Sequence, residues 1–165
     1  MSRLLVLGAS GYLGSMIVEC GTKQGWEVTG TCFQNRHRNY PQVDLREDSA
    51  CTELLRRVEP DVVVWAVMSG ESETSLIHKG LPGLLSSIVP ETRLLFLSTD
   101  GVFAGDKGPY QEQDAPSLWH SESRLAAYCN AKLAGEEMVR GRHANHAIIR
   151  SGPIYGQGAE GRWDH

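Results

Sequence analysis

The sequence predicts a doubly wound α/β fold with a parallel sheet, and three observations carry that prediction. Short aliphatic runs alternate with amphipathic stretches along the chain, the pattern of strands joined by helical crossovers. Runs such as Val62-Val63-Val64 and Leu94-Leu95-Phe96-Leu97 are apolar at every position, as strands covered on both faces are. A glycine-rich segment, Gly8-Ala9-Ser10-Gly11-Tyr12-Leu13-Gly14, follows the first aliphatic run at once and supplies a tight turn into a helix.

The elements follow in order. A strand is expected at Arg3 to Leu7, a helix at Tyr12 to Gln24, a strand at Glu27 to Thr31 and a third strand near Gln42 to Asp44. Ser49 to Val58 then reads as a helix, Asp61 to Val67 as a strand and Ser75 to Ile88 as mostly helical. Pro82 removes a helical hydrogen bond and clashes with the preceding turn, so that helix is expected to begin late or to kink. Arg93 to Ser98 is a strand, about Glu122 to Arg142 a helix, and His146 to Arg150 a strand. No internal repeat, low-complexity tract or linker divides the chain, so residues 1–165 read as one domain. In such a fold, sites lie beyond the carboxyl ends of the strands, here at Leu7/Gly8, Ser98/Thr99 and Arg150/Ser151.

Composition narrows the classes of function. A chain of 165 residues is long enough for a real core, and a net charge of −4 without a long Lys/Arg cluster argues against a nucleic-acid surface. Leu4 to Leu7 is too short for a signal peptide or a membrane span, so a cytoplasmic protein without a membrane partner is expected. Cys20, Cys32, Cys51 and Cys129 are scattered without a C-x-x-C pair and read as reduced thiols, mostly buried. His143 and His146 stand three apart, but no carboxylate or thiol shares their spacing. A solvated turn is expected there and no metal.

The glycine segment carries the first chemistry. Gly8 permits the turn, Gly11 lets the backbone approach a pyrophosphate and Gly14 lets the helix sit close. The helix amino end near Tyr12 offers free amides and a positive dipole end to phosphates, with Ser10, Tyr12 and Leu13 completing the candidate cradle. The plain alternative is an ordinary strand-to-helix turn. About 20 residues on, where NAD-binding versions carry an acid, Gly30 to Arg38 has none. Arg36 and Arg38 there suit a 2′-phosphate, which favours NADP over NAD, or else form a solvated basic loop. Asp44, followed by Leu45, either reaches an adenine amino group or caps the turn before Arg46.

Tyr128 and Lys132 are four apart in a helical stretch and share one face. A nearby ammonium favours phenolate, so Lys132 is expected to lower the Tyr128 pKa toward the working range of a general acid or base. In a carbonyl reduction Tyr128 protonates the oxygen, Thr99 hydrogen-bonds it and Lys132 also holds the nicotinamide ribose. Alone, the Y-x-x-x-K spacing equally describes two surface residues. Glu136 and Glu137 read as structural or surface charges, Trp65 as core, and Glu71 and Glu73 take no role.

Ser98-Thr99-Asp100-Gly101-Val102-Phe103-Ala104-Gly105, Pro109 to Asp114, Tyr128-Cys129-Asn130-Ala131-Lys132-Leu133-Ala134-Gly135-Glu136 and Arg150 to Gly156 resemble the extended short-chain dehydrogenase/reductases, within them the dTDP-4-dehydrorhamnose reductase-like branch. The resemblance implies a Rossmann-type NAD(P)-binding fold, with Thr99, Tyr128 and Lys132 as catalytic residues and the first glycines as the phosphate loop. It implies a small-molecule partner, a 4-keto nucleotide sugar, reduced at the carbonyl. The regulatory β subunit of methionine adenosyltransferase is similar to the same branch and acts through a partner enzyme, the alternative the resemblance offers.

Against the branch pattern, Gly101 stands for an aromatic residue, Cys129 for a glycine and His78 for a helix asparagine. Residues 115–127 read as an enlarged segment that forms a lid or partner surface around Trp119 and His120. The branch continues well beyond Gly161 to His165, so a carboxyl-terminally shortened fold is implied, with homo-oligomerisation over the apolar surface left by a missing strand and domain.

Overall fold

The computed structural model describes residues 1–47, 49–69, 72–105 and 108–156. Glu71, His165 and the stretch Gly161 to His165 lie outside the described residues. Five strands, β1 (Arg3–Leu7), β2 (Glu27–Gly30), β3 (Val62–Trp65), β4 (Arg93–Thr99) and β5 (His146–Ser151), form one parallel sheet in the order β2-β1-β3-β4-β5. The order reverses between β1 and β3, and the crevice at that switch point is where a doubly wound sheet receives a ligand.

Helices cover both faces. On one, α1 (Tyr12–Lys23) packs Ile17 and Val18 against Leu4, Val6 and Val64. On the other, α2 (Ala50–Val58), α3 (Glu73–Ser75), α4 (Leu81–Ser87) and α5 (Arg124–Arg142) close the larger core around Leu5, Leu7, Trp65, Leu94 and Phe96. This two-sided burial is why β1 and β3 read as unbroken aliphatic runs. Ser123 caps α5 by accepting from the Ala126 amide, and Arg140 and Arg142 complement the negative end of its dipole.

Two expectations fail locally. The third strand near Gln42 to Asp44 is only a single bridge, Cys32 to Gln42. The chain has just left the β2 edge there, and Asp44 turns it by accepting from the Arg46 amide at 3.0 Å. Nor does Pro82 delay the start of its helix; an irregular turn lies just before it instead. The turn begins earlier, at Glu73, and widens into a π turn over Leu76–Gly80 that leads into α4. Pro82 is the second residue of the α4 segment, directly after the π turn. The remaining boundaries agree with expectation to within a few residues.

His143 is buried, not solvated, and its Nε2 lies 2.8 Å from the Thr92 carbonyl. Cys32, Cys51 and Cys129 are buried free thiols, and Cys20 is exposed. No described helix is long and apolar enough to cross a membrane.

Candidate active site

The glycine turn leaves β1 at the switch point and its geometry is set by backbone contact. Gly8 has φ +87°, in the left-handed region, and a Cβ there would stand 2.8 Å from the Ala66 carbonyl and 2.9 Å from Val67 Cγ1. A Cβ at Gly14 would run into the Gly8 carbonyl oxygen, so only glycine lets α1 press onto the turn. Gly11 donates its amide to Gly8 O at 3.0 Å and is the N-cap of α1, with no side chain capping it. The amino end of α1 thus opens on a glycine that has no side chain of its own to place over the turn, where a phosphate cradle needs room.

Thr31, just past the end of β2, braces this turn. Its Oγ1 accepts from Gly8 N at 3.3 Å and its carbonyl accepts from Ala9 N at 2.8 Å. No sequence signal marked Thr31, because the bracing spans 23 residues. Beyond it, Arg36 and Arg38 are exposed and have no ion pair among the described residues. Of the two readings of Asp44, the turn cap is the one observed. Its carboxylate takes Arg46 Nε at 2.8 Å and Nη2 at 2.7 Å, and those hydrogen bonds hold it below the usual carboxylate range. Arg46 in turn lies over the Phe33 ring, while Leu45 is buried beside Gly80.

The second half of the site comes from β4, α3 and α5. Thr99 ends β4, and its Oγ1 accepts from Gly101 N at 3.1 Å and donates to Asp100 Oδ1 at 3.3 Å. Gly101 and Cys129 are coupled: a Cβ at 101 would fall 2.6 Å from Cys129 Sγ. Trp119 donates its indole N–H to Gly101 O at 2.7 Å. It also exchanges two hydrogen bonds with the Asn130 amide, at 2.9 and 3.0 Å, so the enlarged segment is clasped to α5 at this point.

Lys132 is buried and its Nζ lies 2.9 Å from Glu73 Oε1. It donates as well to the carbonyls of Val67 and Leu97, both at 3.3 Å, at the ends of β3 and β4. The same ammonium stands 5.7 Å from the centroid of the Tyr128 ring. Tyr128 and Lys132 thus share a face as expected, but the expected lowering of the tyrosine pKa is reversed. Burial, reinforced by the negative charge of Glu73, pushes the Tyr128 phenol up to about 12. Glu73, to which no local pattern assigns a role, is the missed member of this group. Its partner is 59 positions away, and its neighbour His78 is exposed.

Glu136 is fully buried and structural: it accepts from Ser98 and Arg150, tying α5 to β4 and β5, and pairs with Arg140 on its own helix. Burial alone would raise its carboxyl, but the Arg150 and Ser98 hydrogen bonds hold it below its ordinary value. A cleft of about 440 Å³ opens beside this region, lined by Asp100, Phe103, Tyr110, Gln111, Glu112 and Arg150. Another, of about 460 Å³, lies at the amino ends of β1 and β2, around Arg3 and Glu27, away from the site.

The family model described as the RmlD substrate binding domain matches residues 2–162. Among curated relatives, rat methionine adenosyltransferase 2 subunit beta is 28% identical over 94% of this chain and 48% of its own length. The probable low-salt glycan biosynthesis reductase Agl14 of Haloferax volcanii is 28% identical over 92% of this chain and 53% of its own. The chain therefore spans about half the length of the curated relatives it matches. A hypothetical dTDP-4-dehydrorhamnose reductase from Sulfolobus tokodaii superposes with a TM-score of 0.78 at 23% identity, over 93% of this chain and 56% of that one. The dTDP-4-dehydrorhamnose reductase of Bacillus anthracis, solved with NADP, gives 0.76 at 20% identity, over 95% and 56%. At those identities the likeness shows the fold.

Proposed function

The chain belongs to the RmlD substrate binding domain family, and on that premise we propose that it is a nicotinamide-dinucleotide-dependent reductase of a carbonyl group. The substrate class is a 4-keto nucleotide-linked sugar and the preferred cofactor is NADP(H). The observation that carries this reading is the Tyr128–Lys132 pair, whose ammonium reaches the Val67 and Leu97 carbonyls at the carboxyl side of the sheet that also presents the glycine turn. The names of relatives, a probable glycan biosynthesis reductase and dTDP-4-dehydrorhamnose reductases, support the substrate class.

The residues fit a dinucleotide. The Gly8/Gly14 contact presses the amino end of α1 onto the turn, and the N-cap there is Gly11, which carries no side chain over it. Ser10, Gly11, Tyr12 and Leu13 would hold the pyrophosphate, and Arg36 and Arg38 the 2′-phosphate. Asp44 and Leu45 would border the adenine. When bound, the dihydronicotinamide supplies a hydride to the carbonyl carbon. Tyr128 gives its phenolic proton to the carbonyl oxygen, so hydride and proton together convert the ketone to an alcohol. Thr99 Oγ1 hydrogen-bonds that oxygen, and Lys132 orients the ribose and the phenol.

The test is oxidation of NADPH with a panel of dTDP- and UDP-linked 4-keto sugars by the native chain and by Tyr128→Phe. Turnover that drops by about 10²- to 10⁴-fold in the variant is expected; equal turnover refutes the role of Tyr128.

A second reading, a dinucleotide-binding subunit that acts through a partner enzyme, is favoured by the curated relatives named methionine adenosyltransferase 2 subunit beta. It predicts dinucleotide binding without turnover and a stable complex with a methionine adenosyltransferase catalytic subunit on gel filtration.

A further inference from the structure

Two acids are buried among the described residues, and they are satisfied in different ways. Glu136 is matched by a hydroxyl and two guanidinium groups. Glu73 takes the Ser69 amide on Oε2 at 2.6 Å, while its Oε1 makes no directional hydrogen bond among the described residues and meets only the Lys132 ammonium. We propose that Glu73 is a positioning residue for Tyr128: its carboxylate balances the Lys132 charge and so keeps the phenol loaded with the proton that the reduction consumes.

This deepens the reductase reading and rests on it. An unmatched ammonium 5.7 Å from the ring would favour phenolate. Here that ammonium is spent on a carboxylate at 2.9 Å and two carbonyls, and the pair is shut away from water, where charge interactions are strong. The titratable and charged groups facing Tyr128 are Lys132 and Cys129 on α5, Glu73 on α3 and Asp100 after β4. Burial and the last three all oppose the phenolate, and the one cation beside the ring is the Lys132 ammonium at 5.7 Å. The phenol therefore persists far into alkaline pH and is lost only as pH rises through about 12.

The test follows the Tyr128 ring by NMR of tyrosine-labelled chain, its resonance assigned by loss in Tyr128→Phe. Native chain, Glu73→Gln and Glu73→Gln/Lys132→Met are titrated through alkaline pH. The phenolate fraction near pH 10 should rise at least about tenfold in Glu73→Gln and fall back in the double variant. A Glu73→Gln titration that overlays the native one overturns the proposal. If that variant does not fold, Glu73→Asp replaces it. Its carboxylate retreats from Lys132, so a smaller rise is expected, and no rise is again the contrary result. No dinucleotide or substrate is needed, so this outcome separates from that of the reductase reading. Lost turnover in Tyr128→Phe with an unmoved Glu73→Gln titration would retain the reductase and remove the role of Glu73.

Discussion

The two halves of the site are built by opposite means. The glycine turn is made of backbone within seven consecutive residues, and its shape depends on side chains being absent at Gly8 and Gly14. The Tyr128 half is made of side chains from β4, α3 and α5, and depends on one charge being matched by another across 59 positions. A local backbone site tolerates change around it but not within it. A side-chain site assembled across the fold is exposed to any loss of balance.

The largest expected effect tests that balance. Lys132→Met strands the Glu73 carboxylate in the interior, and the fold should lose about 3–5 kcal/mol. Denaturant unfolding measures it, and Glu73→Gln/Lys132→Met should recover a large part of the loss. A native midpoint for Lys132→Met would mean that the pair is not closed in solution.

Gly14→Ala tests the backbone half. The added methyl meets the Gly8 carbonyl oxygen, so α1 must lift from the turn, at about 3 kcal/mol. Gly25→Ala is the control: its φ is +77° but nothing lies within 4 Å, so only backbone strain of about 1 kcal/mol is expected. Equal costs for the two would remove steric contact as the reason for Gly14.

Glu136→Gln separates structural charge from site charge. The native carboxyl is held below its ordinary value, so its contribution is fully present above the unfolded pKa, about 4.5, and is lost as pH falls through the lower folded value. Acid unfolding should therefore be less steep in the variant, with about 2 kcal/mol lost at neutral pH. An unchanged acid limb would contradict the Ser98 and Arg150 hydrogen bonds.

What was legible in the sequence follows the same division. The parallel sheet and the glycine turn were readable because aliphatic runs and glycine spacing are local consequences of burial and close approach. The Tyr128–Lys132 face was readable because helical spacing is local too. Glu73 was not, because nothing near it in sequence shows that it meets Lys132. The Tyr128 shift runs against expectation first because the burial of the phenol is not visible in the sequence, and then because the counter-charge of Lys132 is not. The failed third strand was an error of context, since Gln42 carries strand-like neighbours but Asp44 spends its carboxylate on Arg46 and turns the chain.

The smallest expected effect lies at the exposed end of the backbone half. Removing both guanidinium groups in Arg36→Ala/Arg38→Ala should erase a preference for NADPH over NADH of roughly tenfold and leave stability unchanged. A preference retained in the double variant would place 2′-phosphate recognition elsewhere.

The central claim is that the glycine turn holds a nicotinamide dinucleotide within reach of Tyr128. It is tested most directly by fluorescence titration of the chain with NADPH and, separately, with NADH. Saturable binding, tighter for NADPH and lost in Gly14→Ala, is the predicted result. Binding of neither would contradict it, and the assignment of Tyr128 as proton donor would fall as well.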